Sequence, residues 1–203
     1  MKLGMIDYGR GNLRSVINAC RALGFEPHLV RKPEDLGDLS HIIFPGQGAF
    51  GDCMASLARL ELIEPLRKWI EADRPYFGIC VGYQLLFRAS EESPGISGLG
   101  VIEGKCRRFT SKDIKIPHMG WNDIAINDRE SSIWAGFTDA PYFYFVHSFY
   151  PIAENKSDIA ATCRYGGETF CAAIERGNLF ATQFHPEKSQ HTGLQLLKNF
   201  LER

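Results

Sequence analysis

No two of the six cysteines (Cys20, Cys53, Cys80, Cys106, Cys163, Cys171) stand in a Cys-x-x-Cys spacing. That argues against a structural zinc site or a disulfide framework, and free thiols point to a reducing, cytoplasmic setting. An excess of charge of either sign is missing as well. The formal net charge is −1, which leaves no basic footprint for nucleic acid or an anionic membrane. No apolar run approaches the roughly 20 residues of a membrane span. The opening Met1–Asp7 turns acidic too soon for a secretory leader. The glycines after the first apolar run, Gly9-x-Gly11, lack the third glycine of a dinucleotide fingerprint, and Arg14 stands in its place. A tight strand-to-helix turn is the reading that remains there. Repeats, low-complexity tracts and linkers are absent, so residues 1–203 are expected to form a single domain. With 44% hydrophobic and 23% charged residues in 203, the chain can bury a sizeable core.

Apolar runs at Lys2–Ile6, Pro27–Val30 and His41–Phe44 predict three strands. Between the first two, Leu13, Val16, Ile17, Cys20 and Leu23 recur at helical spacing, with Asn12 as N-cap candidate and Gly24 as the stop. Strand–helix–strand alternation implies right-handed crossovers and a parallel sheet. Leu57, Leu60, Ile63, Leu66, Trp69 and Ile70 form a helical core stripe interrupted near Pro65. After Phe87 the pattern changes to short strand-like runs at Leu99–Ile102, Lys105–Phe109, Trp121–Ile126, Tyr142–Phe149, Ile159–Arg164, Thr169–Ile174 and Leu179–Phe184. Arg176-Gly177-Asn178 is a hairpin signal. Residues Gly193–Leu201 form a closing helix, with Leu194, Leu197 and Leu201 on one face. The expected fold is α/β: a doubly wound, mixed but mostly parallel sheet flanked by helices, with antiparallel strands in the second half.

The chemistry centres on Pro75–Phe87, where an apolar run ends in Gly78-Ile79-Cys80-Val81-Gly82 and a helical pattern resumes. Gly-x-Cys-x-Gly is the spacing of a nucleophile elbow, whose sharp turn needs small neighbours. A thiol there lies near a helix N-terminus, which favours the thiolate, and the Val81 N–H is free to donate to an oxyanion. The bland alternative is a small core cysteine at a strand end. Pro45-Gly46-Gln47-Gly48 leaves the sheet at the same edge and is a candidate second oxyanion donor. Among six histidines, His28, His41 and His191 suit surface or capping roles, while His118 and His147 lie in unusual sequences. His185 ends an apolar strand, and Glu187 follows two residues on, beyond a proline that keeps the histidine extended. Residues i and i+2 then point the same way, so the carboxylate can hold the imidazole. A His–Glu pair on a solvated loop is the competing reading.

These stretches, Gly78–Gln84 with Phe184-His185-Pro186-Glu187, resemble the triad-type class I glutamine amidotransferases. Ile6–Leu13, Pro45–Phe50, Pro117–Asn122 and Tyr144–Ser148 narrow the likeness to the glutaminase subunits of imidazole glycerol phosphate synthases, of histidine biosynthesis. The resemblance runs over nearly the whole chain. It implies that Cys80 attacks the glutamine amide, His185 moves the proton and Glu187 orients His185. Val81, Gly46 and Gln47 would supply oxyanion donors. Gly48, Gln84, Glu92, Ser148 and Phe149 would hold the substrate's α-ammonium and α-carboxylate. No metal or cofactor is implied. The implied partner is a (β/α)₈-barrel cyclase, a pattern this chain lacks, with Lys188, Tyr144, Pro117 and Met119 at the interface of a heterodimer. That partner would use the ammonia to make imidazole glycerol phosphate and aminoimidazole carboxamide ribonucleotide. Tyr83 departs from the methionine frequent in the family, and Gln47 from a small aliphatic residue. A glutaminase feeding another synthase, a cysteine peptidase or other thiol hydrolase, and a scaffold without activity are the other readings. The intact Cys80, His185 and Glu187 weigh against the last.

Overall fold

The computed structural model describes residues 1–9, 12–111, 114–137 and 140–203. Strand β1 (Leu3–Ile6) leads to helix α1 (Leu13–Ala22), so the predicted turn is described except for Arg10 and Gly11. Asn12 holds the N-cap position but makes no side-chain capping bond. Gly24, with φ +87°, ends the helix, its N–H returning to the Arg21 carbonyl. β2 (His28–Val30) and β3 (His41–Phe44) flank β1 in parallel. The crossover stripe is two helices, α2 (Phe50–Arg59) and α3 (Ile63–Glu71). The break falls at Glu61, whose φ is +57°, and not at Pro65. Pro65 is tolerated because it sits in the first turn of α3, where an N–H has no intrahelical acceptor.

β4 (Tyr76–Ile79) follows, then a single helical turn, α4 (Val81–Gln84), and at once β5 (Phe87–Ser90). The apolar Leu85-Leu86-Phe87 is therefore not the helix that its pattern predicts. All three side chains are buried, and the Leu85 and Leu86 carbonyls accept from Leu99, Val101 and Ile102. Leu99–Val101 is irregular, and one strand, β6 (Ile102–Arg108), replaces the two expected there. β7 (His118–Asp123), β8 (Ala125–Ile126), β9 (Tyr142–His147) and β10 (Phe149–Ala153) come next; the run predicted at Tyr142–Phe149 breaks at Ser148. β11 (Ile159–Tyr165), β12 (Glu168–Arg176), β13 (Leu179–Thr182) and α5 (Gln190–Leu201) complete the order. Gly177, with φ +57°, turns the β12–β13 hairpin as expected.

Among the described residues the large sheet has eight strands in the order β2-β1-β3-β4-β13-β12-β11-β8. Pairing is parallel from β2 to β13 and antiparallel from β13 to β8. Two smaller sheets, β10-β6-β5 and β7-β9, stand beside it. β4 and β13, the central pair, carry the candidate nucleophile and base at their C-terminal ends. Beneath them Phe77, Phe180 and, from α5, Phe200 meet with ring centroids 5.1 Å apart in the Phe77–Phe180 and Phe77–Phe200 pairs. Each such ring buried is worth about 1.5–3 kcal/mol, so the site rests on stiff ground. His41 is a correction: it is 7% exposed, edge-on to Phe200, and burial lowers its pKa. His28 and His191 are exposed, as expected.

Candidate active site

The elbow is built by close approach of backbones. Cys80 has φ +55° and ψ −105°, a strained conformation for a residue with a side chain. A Cβ on Gly82 would stand 2.0 Å from the Phe44 carbonyl oxygen, and one on Gly78 2.7 Å from the Gly82 carbonyl oxygen. One on Gly46 would come within 2.9 Å of the Gly82 nitrogen, the Tyr8 hydroxyl and Val81 Cβ. The small residues are thus required by the turn itself and by β3 and its loop packed against it. The Cys80 N–H donates to the Thr182 carbonyl at 2.8 Å, and the Tyr76 hydroxyl donates to the Gly82 carbonyl at 3.0 Å. Val81 opens the helical turn, so its N–H has no intrahelical acceptor. Because α4 is one turn long, no full helix dipole stands behind the thiol, contrary to the expectation from the apolar pattern.

His185 and Glu187 meet as the spacing predicts: Nδ1 lies 2.8 Å from Oε1, and both side chains are 2% exposed. They sit behind Cys80 rather than on the cavity wall, so the solvated-loop reading is excluded. His185 Nε2 has no hydrogen-bond partner among the described residues. Burial acts to lower the imidazole's pKa, but the negative charge of Cys80 as thiolate and the bond to Glu187 outweigh it and raise it to about 10. The His185 N–H donates to the Tyr144 carbonyl at 2.9 Å, and its carbonyl accepts from Ser189 Oγ at 2.6 Å. Ser189 Oγ in turn accepts from the Tyr144 N–H at 2.9 Å.

A cavity of about 520 Å³ opens over the thiol, with Gln47, Gly48, Cys80, Val81, Gln84, Glu92, Ser148 and Phe149 on its wall. Pro117, Met119, Tyr144 and Lys188 line it too, with Met119 62% exposed and the Lys188 ammonium 5.8 Å above the Tyr144 ring. Gly46 lies underneath, against the elbow. Glu92 is already partly engaged: Oε2 accepts from the Phe50 N–H at the start of α2 at 2.7 Å. Gln84 Nε2 donates to the Phe149 carbonyl and to Gln183 Oε1, both at 2.9 Å. Gly48 has φ +120°, open only to glycine. Under the same segment, burial, Cys53 and Cys80 drive the Tyr8 phenol far above its usual range, while a backbone hydrogen bond from Gln47 acts the other way. Cys53 Sγ lies 3.8 Å from the Tyr8 hydroxyl and 4.0 Å from the Gln47 carbonyl, which ties this segment to the elbow's floor.

His118 and His147 form a neutral pair on β7 and β9. His118 Nδ1 lies 3.1 Å from His147 Nε2, and His147 Nδ1 2.8 Å from the Phe149 carbonyl. Burial lowers His118 to about 4; burial and the neighbouring His118 lower His147 to about 3. Local sequence does not point to Ser189 or Tyr8 as part of the site. Gln183 alone carried a signal, an amide inside an apolar strand run. Among the described residues no cluster of three or more His, Cys, Asp or Glu side chains could hold a metal ion. Among them, too, no helix is long and apolar enough to cross a membrane.

A thiol on a strand-to-turn elbow, backed by a buried histidine–carboxylate pair, is the arrangement of the α/β cysteine hydrolases. Within that class the chain belongs to the class I glutamine amidotransferase family, whose pattern it matches over residues 4–203. It is 46% identical to the imidazole glycerol phosphate synthase subunit HisH of Geobacter sulfurreducens, over 99% of this chain and 98% of that one. It is 48% identical to the chloroplastic imidazole glycerol phosphate synthase hisHF of Arabidopsis thaliana, over 97% of this chain but 33% of that longer protein. The solved structure of PurLQS from Thermotoga maritima shares the fold, with a TM-score of 0.78 at 21% identity over 99% of this chain and 97% of that one.

Proposed function

We propose that this chain, acting as one domain over residues 1–203, hydrolyses glutamine and delivers the ammonia to a (β/α)₈-barrel cyclase subunit in histidine biosynthesis. The observation that carries the reading is Cys80 at the elbow, in a cavity backed by the buried His185–Glu187 pair. Cys80 Sγ attacks the side-chain amide carbon, and the thiol proton passes to His185. Glu187 Oε1 fixes the Nδ1–H tautomer, leaving Nε2 for this transfer. The oxyanion is held by the Val81 N–H and a donor from Gly46-Gln47-Gly48. Collapse to the thioester expels ammonia, protonated by His185, and water then releases glutamate by the reverse relay. Gly48, Gln84, Glu92, Ser148 and Phe149 hold the α-substituents. A free Glu92 oxygen suits the ammonium, since only Oε2 has a described backbone donor.

The same reading includes a switch. Gln47 and Gly48 line the cavity and Gly48 has φ +120°, so this glycine-rich segment can present or withdraw a peptide N–H, and one oxyanion donor is worth ~10²–10³ in rate. Tyr144 and Lys188 lie where a partner would touch, and the Tyr144 carbonyl already holds the His185 backbone. A cytoplasmic location is part of the proposal, supported by six free cysteines. The test is glutamine turnover of the isolated chain, of its complex with the cyclase, and of the complex with the cyclase's nucleotide ligand. A stepwise rise is expected; no hydrolysis in any of the three would overturn the reading, and equal turnover would remove the switch.

A further inference from the structure

We infer that Gln183 is a further catalytic residue, whose side-chain N–H holds the Cys80 sulfur in its reactive, anionic form. The inference rests on Cys80 as nucleophile and adds a group that the histidine–carboxylate pair does not supply. Gln183 Nε2 lies 3.7 Å from Cys80 Sγ, within range of a hydrogen bond to sulfur. The side chain is fully buried and absent from the cavity wall, so it touches the reacting atom without lining the glutamine pocket.

Its orientation is dictated by its neighbours. An amide can be turned over with little change of shape, so the assignment of nitrogen and oxygen must come from the hydrogen bonds. The Phe149 carbonyl can only accept, so the Gln84 atom 2.9 Å from it is nitrogen. The Gln183 atom 2.9 Å from that same nitrogen must then be an acceptor, Oε1. The remaining Gln183 atom is Nε2, and it faces the sulfur. Turning the amide over would set a donor against a donor in a buried place and an oxygen against the thiolate, two penalties at once.

Position follows from register. β13 pairs with β4 in parallel, Thr182 opposite Ile79, and the Cys80 N–H bonds the Thr182 carbonyl. Gln183 and Cys80 are therefore the next residues along two neighbouring strands, both leaving the sheet at the same edge. A thiolate only 5% exposed has little water to stabilise it. With one helical turn behind it, a directed N–H is the substitute for a helix dipole.

The experiment compares wild type with Gln183→Met, which keeps the volume and removes the N–H, and Gln183→Glu, which sets an acceptor against the sulfur. Iodoacetamide alkylation of Cys80 is followed against pH, alongside glutamine kinetics in the cyclase complex and thermal melting. Burial raises Cys20, Cys163 and Cys171 to about 12 and Cys106 well upward, and a Cys80→Ala background subtracts any remaining labelling. For Gln183→Met the alkylation midpoint should rise by about one pH unit and kcat fall about tenfold, from the loss of one bond to a charged acceptor. KM should stay near wild type, and Gln183→Glu should lose more. A lowered melting temperature with an unmoved alkylation midpoint is what mere core filling predicts, and it would overturn the inference. If both variants fail to fold, the wild-type Gln183 side-chain amide resonance is followed through the Cys80 titration. It should shift as the thiol ionises, and an unmoved resonance overturns the inference equally. Alkylation needs no glutamine, so this outcome is separable from failure of the glutaminase reading.

Discussion

Gly82→Ala is the sharpest probe of how the elbow is made. The added Cβ would stand 2.0 Å from the Phe44 carbonyl oxygen and 3.0 Å from its carbon. Ordinary contact begins at 3.4 Å, so the turn and β3 must part by about 1.4 Å. Both groups are fixed backbone, so no side-chain rotation relieves the clash. Overpacking of this kind costs about 1–3 kcal/mol. At ~2–4 °C per kcal/mol for a chain this size, the melting temperature should fall by roughly 2–12 °C. The effect on turnover should be larger, because displacing a reacting group by about 1 Å costs on the order of 10²-fold. Steady-state glutamate release in the cyclase complex, with a parallel melt, measures both. Gly136→Ala is the control: its φ is +82°, but nothing lies within 4 Å of the new Cβ. That change should cost only the ~1 kcal/mol of a left-handed backbone and leave turnover alone. Wild-type turnover in Gly82→Ala would refute the claim that close approach sets the thiol.

Cys80→Ala should abolish glutamine hydrolysis while ammonia added to the complex still supports the cyclase; glutamate release and product formation are assayed separately. His185→Ala should lose about as much, and Glu187→Gln less, since an orienting group contributes less than the base it orients. For His118 and His147 the folded pKa values lie below 6.5, at about 4 and about 3. Their contribution to stability is therefore full above pH 6.5 and is lost as pH falls through the folded values, because the unfolded chain binds the extra protons. Melting temperature should drop on acidification less steeply in His147→Gln than in wild type. Met119→Asp, at a residue 62% exposed on the cavity rim, should weaken cyclase binding, as read by titration calorimetry.

Four of the five parallel strands, β1, β3, β4 and β13, were legible because they are buried on both faces and read as unbroken apolar runs. His41–Phe44 was located to the residue, and Gly177 announced its hairpin. The elbow was legible for a related reason: its glycines answer contacts made within a few residues, together with β3. What failed were places where tertiary contacts overrode local pattern. Leu85-Leu86-Phe87 continues a helical pattern, yet the Leu85 and Leu86 carbonyls are taken by Leu99, Val101 and Ile102, beyond the reach of any local pattern. The sequence cannot reveal that Glu92 caps α2, since that bond joins distant segments. His185 and Glu187 could be paired from spacing alone, whereas Gln183 needed the strand register to bring it to the sulfur.

Strand β13 has a consequence for how the protein comes into being. It lies between β4 and β12, so the middle of the large sheet is filled by a segment that follows β4 only after β5 to β12 have been made. Until then β4 has an open edge, and the cysteine at its end has neither its backbone partner Thr182 nor its base. A nascent or truncated chain ending before β13 thus carries the thiol without the means to fire it.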